Sequence, residues 1–225
     1  MLEHVVEVRK KTLEEDDHER LASEHMLATA YLDDRRIKDA IKMLEHVVEV
    51  QKTTLDEDDH SRLTSEQALA SAYLIDRRIK DAIEMLEHVV EVRKKTLEED
   101  DHERLASEHA LASAYLSDRR IKDAVTMLEH VVEVWKKMLE EDDHSRLTSE
   151  HMLASAYLSD RRIKDAVTML EVGKKTLEED DHSLLALEHM LASAYLDDRR
   201  IKDAIEMFEH VVEVEKKPLD EEDHD

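Results

Sequence analysis

The sequence predicts an all-α chain, an α-solenoid of stacked helical hairpins with about eleven helices, and three observations carry that expectation. Tyrosines fall at 31, 73, 115, 157 and 195, a step of 42 residues and then one of 38, and the Leu or Phe of a Leu-Glu-His motif recurs at 2, 44, 86, 128, 170 and 208. A period of this size marks one supersecondary unit stacked on copies of itself, because no single copy can bury its own apolar face. Glycine and proline each occur once in 225 residues, so almost nothing interrupts helix. Charged residues make up 40% and aromatics 3%, which suits helices that pack through aliphatic side chains.

Residues 1–14 read as the second helix of a hairpin whose first helix is missing, because Met1 aligns with Met43, Met85, Met127, Met169 and Met207. Full hairpins are expected over 18–56, 60–98, 102–140, 144–178 and 182–217, and residues 218–225 begin a truncated next repeat. Within a unit, Leu63, Ala70, Tyr73 and Leu74 recur at helical spacing and define the first helix. The second runs from about Ile79 to Leu97, with Ile79, Ala82, Ile83, Leu86, Val89 and Val90 on one side. Asp76-Arg77-Arg78 joins the two helices, and the arginines are expected to pair with acids of adjacent units. The acidic run Asp56-Glu-Asp-Asp-His60 joins one unit to the next, and its aspartates suit the N-cap and the positive end of the following helix. A continuous coiled coil would also accept a 42-residue period, which is six heptads, but its seam needs an apolar residue every three or four positions. After Leu55 the next is Leu63, so the seam breaks once per period. An array that starts and stops inside its period reads as part of a longer one with uncapped ends, and end-to-end association is expected.

The 38-residue step removes four residues, where Leu128-Glu-His-Val-Val-Glu-Val134 becomes Leu170-Glu-Val172 followed by Gly173. Four residues are roughly 40° beyond one full turn, so the shortened helix keeps nearly the same buried face. Leu184 and Leu187 stand where the preceding unit has Arg146 and Ser149, and are expected to fill the gap. This junction is expected to be the weakest in the array. The recurring methionines read as core filler. Trp135, at a position otherwise held by Arg9, Gln51, Arg93 and Glu215, reads as packing across its helix, with a binding hot spot as the alternative.

Net charge is −25 and evenly spread; the unit 44–85 holds ten acids against five bases. Such a surface repels phosphate backbones and anionic lipid, so nucleic-acid and membrane partners are not expected, and a protein or peptide of basic character is. The N-terminus carries no signal peptide pattern and no window approaches a membrane span, which leaves a cytoplasmic chain as the expectation. With no cysteine, disulfides, thiol catalysis and Cys-based zinc sites are excluded. His18 and His25 would lie about 10.5 Å apart along one helix, too far to share a zinc ion. Ser107-Glu108-His109 names the residue types of a hydrolase triad, but consecutive helical residues point about 100° apart and cannot converge. No enzyme, metal or cofactor is expected.

Leu69-Ala70-x-x-Tyr73, followed by Ala82, Leu86 and Val89, resembles the tetratricopeptide signature over the whole chain. The 42-residue unit, with Lys94-Lys-Thr-Leu-Glu-Glu-Asp-Asp-His102 before a first helix, resembles the repeats of kinesin light chains. A nearer likeness is to the C-terminal repeats of fungal NOD-like (STAND-type) receptors, where runs like Leu105-Ala-Ser-Glu-His-Ala-Leu-Ala-Ser-Ala-Tyr115 are typical. The resemblance implies a right-handed superhelix and a non-enzymatic scaffold, the ligand-sensing region of such a receptor or a fragment of it. One departure is plain: the family commonly has glycine in the intra-unit turn, where this chain has Arg35, Arg77, Arg119, Arg161 and Arg199.

The resemblance further implies that first helices line a concave groove. The candidate groove residues are His25, Thr29 and Asp33; Gln67, Ser71 and Ile75; His109, Ser113 and Ser117; His151, Ser155 and Ser159; and His189, Ser193 and Asp197. The histidine row matches an asparagine row that contacts peptide in kinesin light chains. Rows of small polar groups suit an extended peptide backbone. The alternative is a set of solvated positions that drifted after duplication. If the row binds a cation, its charging near the ordinary histidine value of about 6.5 should weaken capture.

Overall fold

A computed structural model describes residues 1–140, 143–176 and 182–215, and among them it holds eleven helices and no strand. The expected truncated repeat at 218–225 lies outside the described residues, as do 177–178 and 216–217 of two expected hairpins. The chain divides into two compact units, Met1–Arg120 and Ile121–Asp225.

The first unit contains α1 (Leu2–Thr12), α2 (His18–Asp33), α3 (Ile37–Thr54), α4 (His60–Ile75), α5 (Ile79–Thr96) and α6 (His102–Ser117). Consecutive helices pack on one another, and α2, α4 and α6 also touch in sequence. The second contains α7 (Ile121–Met138), α8 (His144–Ser159), α9 (Ile163–Thr176), α10 (His182–Asp197) and α11 (Ile201–Glu215), with α8 also touching α10.

The first helices α2, α4, α6 and α8 each start where an aspartate caps them. Asp17 accepts from the amides of Glu19 and Arg20, and Asp59, Asp101 and Asp143 repeat the arrangement. Each first helix ends in a left-handed arginine, Arg35 at φ 59° and Arg77, Arg119, Arg161 and Arg199 between 61° and 64°. The amide of Arg36 donates to the Tyr31 carbonyl at 2.8 Å and that of Arg35 to the Leu32 carbonyl at 3.0 Å, a Schellman closure built without glycine. That motif usually carries an apolar contact between the residues at its two ends. Here the contact is a cation over a ring, with the Arg36 guanidinium 3.9 Å from the Tyr31 centroid and the same stacking in the other four copies.

The core is a stripe of Leu, Val and Ala shared by neighbouring helices, with Leu44, Leu69, Leu86, Leu105, Leu111 and Leu128 fully buried. Of the recurring methionines, Met43, Met85, Met127, Met169 and Met207 are half-buried and Met1 is exposed, and Met169 and Met207 pack against the core. The position of Trp135 is interior throughout the middle of the chain, with Gln51 5%, Arg93 4% and Trp135 2% exposed.

Helix α9 has 14 residues where α7 has 18. Gly173 is buried, and a Cβ there would meet Leu187 Cδ1 at 2.9 Å. Leu187, 1% exposed, thus occupies the space released by the missing turn, in a cluster with Val167, Leu170, Leu191 and Tyr195.

Candidate functional site

The candidate groove residues lie at four-residue intervals along the first helices. In α2, His25 is half-buried while Thr29 and Asp33 are exposed; in α4, Gln67 and Ser71 are half-buried and Ile75 is exposed. In α6, His109 and Ser113 are half-buried and Ser117 is exposed. Since α2, α4 and α6 touch in order, these three sets are neighbours in the first unit. In the second unit α8 and α10 likewise bring together His151 (half-buried), Ser155 and Ser159 (exposed) with His189 (exposed), Ser193 (half-buried) and Asp197 (exposed).

Several of the hydroxyls are already engaged within their own helices. Thr29, Ser71, Ser117, Ser159 and Ser193 each donate to the carbonyl four residues back at 3.0–3.1 Å, which leaves their oxygens as acceptors toward a partner. Burial holds His25 and His109 below the ordinary histidine pKa, so their charging moves to lower pH than the sequence suggests. His25 Nδ1 lies 3.2 Å from Ser65 Oγ, and His109 Nε2 is buried with no hydrogen-bond partner.

In the first unit a cleft of about 270 Å³ opens between α2, α3 and α4. His25, Met26, Gln51, Ser61, Thr64 and Ser65 are among the residues lining it. Gln51 Oε1 has no hydrogen-bond partner. One period later Arg93 stands where Gln51 stands, and its guanidinium donates to Gln67 Oε1 at 2.6 Å and to the Glu103 carbonyl at 2.9 Å.

One network escaped the sequence reading of the site, and a second realises the expected pairing of the turn arginines with acids of a neighbouring unit, through the second arginine of each turn. A glutamate of each first helix is buried among basic side chains. Glu66 meets Arg62 Nε at 3.2 Å, Lys52 Nζ at 3.8 Å and His88 Nδ1 at 2.8 Å, and Glu24, Glu108, Glu150 and Glu188 repeat parts of this set. The recurrence of Glu four residues after Arg was the available signal, but it reads as a surface pair. The other network ties one repeat to the next. Tyr73 donates to Glu45 Oε1 at 2.8 Å and Arg78 to the same oxygen at 3.1 Å, while Arg78 Nε also holds Asp81 at 2.7 Å. Equivalent pairs join Tyr31 and Arg36 to Glu3, Tyr157 and Arg162 to Glu129, and Tyr195 and Arg200 to Glu171. Burial and then the glutamate hydrogen bond push Tyr73, Tyr157 and Tyr195 up to about 12.

Among the described residues no group of three or more His, Asp and Glu is placed to hold a metal ion. No described helix is long and apolar enough to cross a membrane.

Sequence and structure comparisons converge. The tetratricopeptide-repeat family matches residues 23–95, 61–137 and 189–218. No curated protein matches the chain. Among solved structures, a Podospora anserina protein named for a kinesin light chain and for nearly identical TPR-like repeats is 38% identical, with a TM-score of 0.83 over 90% of this chain and 98% of that one. BtubC from P. vanneervenii superposes with a TM-score of 0.76 at 15% identity, over 100% of this chain and 96% of that one. YrrB, described as a TPR protein with an unusual peptide-binding site, gives 0.59 at 13% identity, over 96% and 93%. The paired helices, the Tyr73-to-Ala82 spacing and these matches lead to one conclusion: the chain belongs to the tetratricopeptide-repeat family.

Proposed function

We propose that this chain is a non-enzymatic scaffold that binds a protein or peptide along its first-helix face. The observation that supports it best is the adjacency, in the first unit, of three polar rows from α2, α4 and α6 beside a cleft containing an unsatisfied acceptor. Spare oxygen acceptors at regular spacing match the periodic amide donors of an extended peptide. The net charge of −25 favours a basic ligand and faster encounter with it. Placement within a NOD-like receptor, as its ligand-sensing repeats, belongs to the same proposal and rests on the sequence resemblance.

The test is peptide-array selection followed by anisotropy with the best basic peptide. Ser71→Arg, in the middle of the face, should weaken binding about 10-fold, whereas Glu91→Arg on the exposed side of α5 should change it little. Affinity should hold from pH 8 to pH 7 and fall only below about 6.5, because His25 and His109 charge below the ordinary value. Ser71→Arg binding like wild type would refute the face assigned here.

A second reading has its own observation. Val8 in α1 is 44% exposed and Ile205 in α11 is 50% exposed, while the matching Val92, Val134, Ile83 and Val167 are buried. Such faces suit either further repeats or another copy of the chain.

A further inference from the structure

The position occupied by Arg9, Gln51, Arg93 and Trp135 differs from its surroundings: the frame around it repeats, but the side chain filling it changes. In two described copies it is an arginine with a common anchor. Arg9 Nη1 donates to the Glu19 carbonyl at 2.6 Å, and Arg93 Nη1 to the Glu103 carbonyl, one residue past the start of the next first helix in each case. Arg93 is also held by Gln67 Oε1 and lies 3.5 Å from the Glu103 carboxylate. In the third copy the filler is Gln51, shorter than arginine. Ser61 and His25, the counterparts of Glu103 and Gln67, line an open cleft instead of holding a guanidinium.

We propose that this cleft takes an arginine side chain from a bound peptide, which would sit where Arg93 places its own guanidinium one repeat later. The proposal rests on the peptide-scaffold reading and specifies the chemistry its first unit selects. His25 and Ser61 do not reproduce the Gln67 amide and the Glu103 carboxylate, but other acceptors are present. The Ser61 carbonyl has a second lone pair, as Glu19 and Glu103 do when they accept from arginine. Gln51 Oε1 is an acceptor with no partner on a side chain only 5% exposed, and an unsatisfied buried acceptor is costly until a donor reaches it. Ser65 Oγ turns to His25 rather than to its own helix, whereas Ser23 and Ser107 donate to the carbonyls three residues back at 2.8 and 2.7 Å. Asp16 lines the cleft and supplies negative charge. Met26, 58% exposed, offers an apolar wall for the aliphatic stem. Arginine fits better than lysine because its planar fork reaches two acceptors at once. Trp135 shows that the frame also tolerates a flat ring, but an indole would leave Gln51 Oε1 with a single donor at most and forgo the charge.

The test titrates the full chain with acetyl-Gly-Arg-Gly-amide, and with its lysine and tryptophan counterparts, while backbone amide shifts of Ser61, Thr64 and Ser65 are followed. The arginine tripeptide should saturate these shifts at least 5-fold more tightly than either counterpart. Gln51→Arg, which puts the chain's own guanidinium into the cleft, should abolish the shifts and raise Tm by about 2–4 °C. Gln51→Leu, which removes the acceptor and keeps the bulk, should weaken arginine binding about 10-fold. Tighter binding of the tryptophan peptide, or arginine binding that survives Gln51→Arg, overturns the proposal. Peptide binding that responds to Ser71→Arg but not to Gln51→Arg overturns the cleft and leaves the scaffold standing. Arginine binding that responds to Gln51→Arg but not to Ser71→Arg keeps the cleft and removes the wider face.

Discussion

Five arginines at φ near 60° are a recurring local cost, since a side chain in left-handed geometry is disfavoured by about 1–2 kcal/mol relative to the ordinary helix. Glycine would remove the clash and lose more entropy on folding, so part of the benefit is returned. Arg77→Gly should therefore stabilise the protein by about 0.5–1 kcal/mol in urea unfolding, and a loss of stability would show that the Arg77 side chain has an unseen role. The next residue must not be touched. Arg78 stacks on Tyr73, and both hold Glu45. The consequence is measurable with base. A phenol whose folded pKa is raised loses its stabilising effect as pH climbs from its unfolded value of about 10 toward the folded one. Phenolate absorbance should therefore show Tyr73, Tyr157 and Tyr195 ionising near pH 12, with unfolding in the window between about 10 and 12. Titration of all five tyrosines near 10 would contradict the closed clasp.

At the level of elements, the shortened helix α9 shows how a deletion is absorbed. The contact of Tyr195 with Glu171 spans 24 residues and that of Tyr157 with Glu129 spans 28, yet both hydrogen bonds measure 2.8–2.9 Å. Lys174 still reaches Glu188 at 2.7 Å, as Lys136 reaches Glu150. The repair depends on Gly173 beneath Leu187. Gly173→Ala should destabilise by about 1 kcal/mol, because overpacking outweighs the helix preference of alanine. In a Leu187→Ala background, itself costing about 2–5 kcal/mol, the same change should become neutral or stabilising. A double-mutant cycle with no coupling would show that the two residues do not share that space. The period, the absence of breakers and the aspartate caps made the helices legible in sequence, and the extra leucines at 184 and 187 even pointed to the repair. The cleft was not legible. Gln51, Arg93 and Trp135 look like surface substitutions because their environment is set by helices distant in sequence, as when Arg93 meets Gln67 and Glu103. Glu66 was hidden for a related reason: a charged residue is read as solvated until Lys52 and His88 are seen to converge on it.

For the molecule as a whole, charge and apolar surface oppose each other. A net charge of −25 keeps copies apart at low salt, while Val8 in α1 and Ile205 in α11 leave apolar faces in water. Light scattering should show mass rising with concentration, more steeply in high salt, and Val8→Glu with Ile205→Glu should hold the chain monomeric. A constant monomer mass for the wild type at high concentration would remove the self-assembling reading and leave the peptide scaffold. The Tyr–Glu–Arg clasp has a further implication, for how such a gene can change. Because successive couplings use the same three side chains, a copy can be dropped or duplicated in whole multiples and the new neighbours meet ready-made partners. Length is then free to drift between generations, while the fillers at 51, 93 and 135 are among the side chains that distinguish one link from the next.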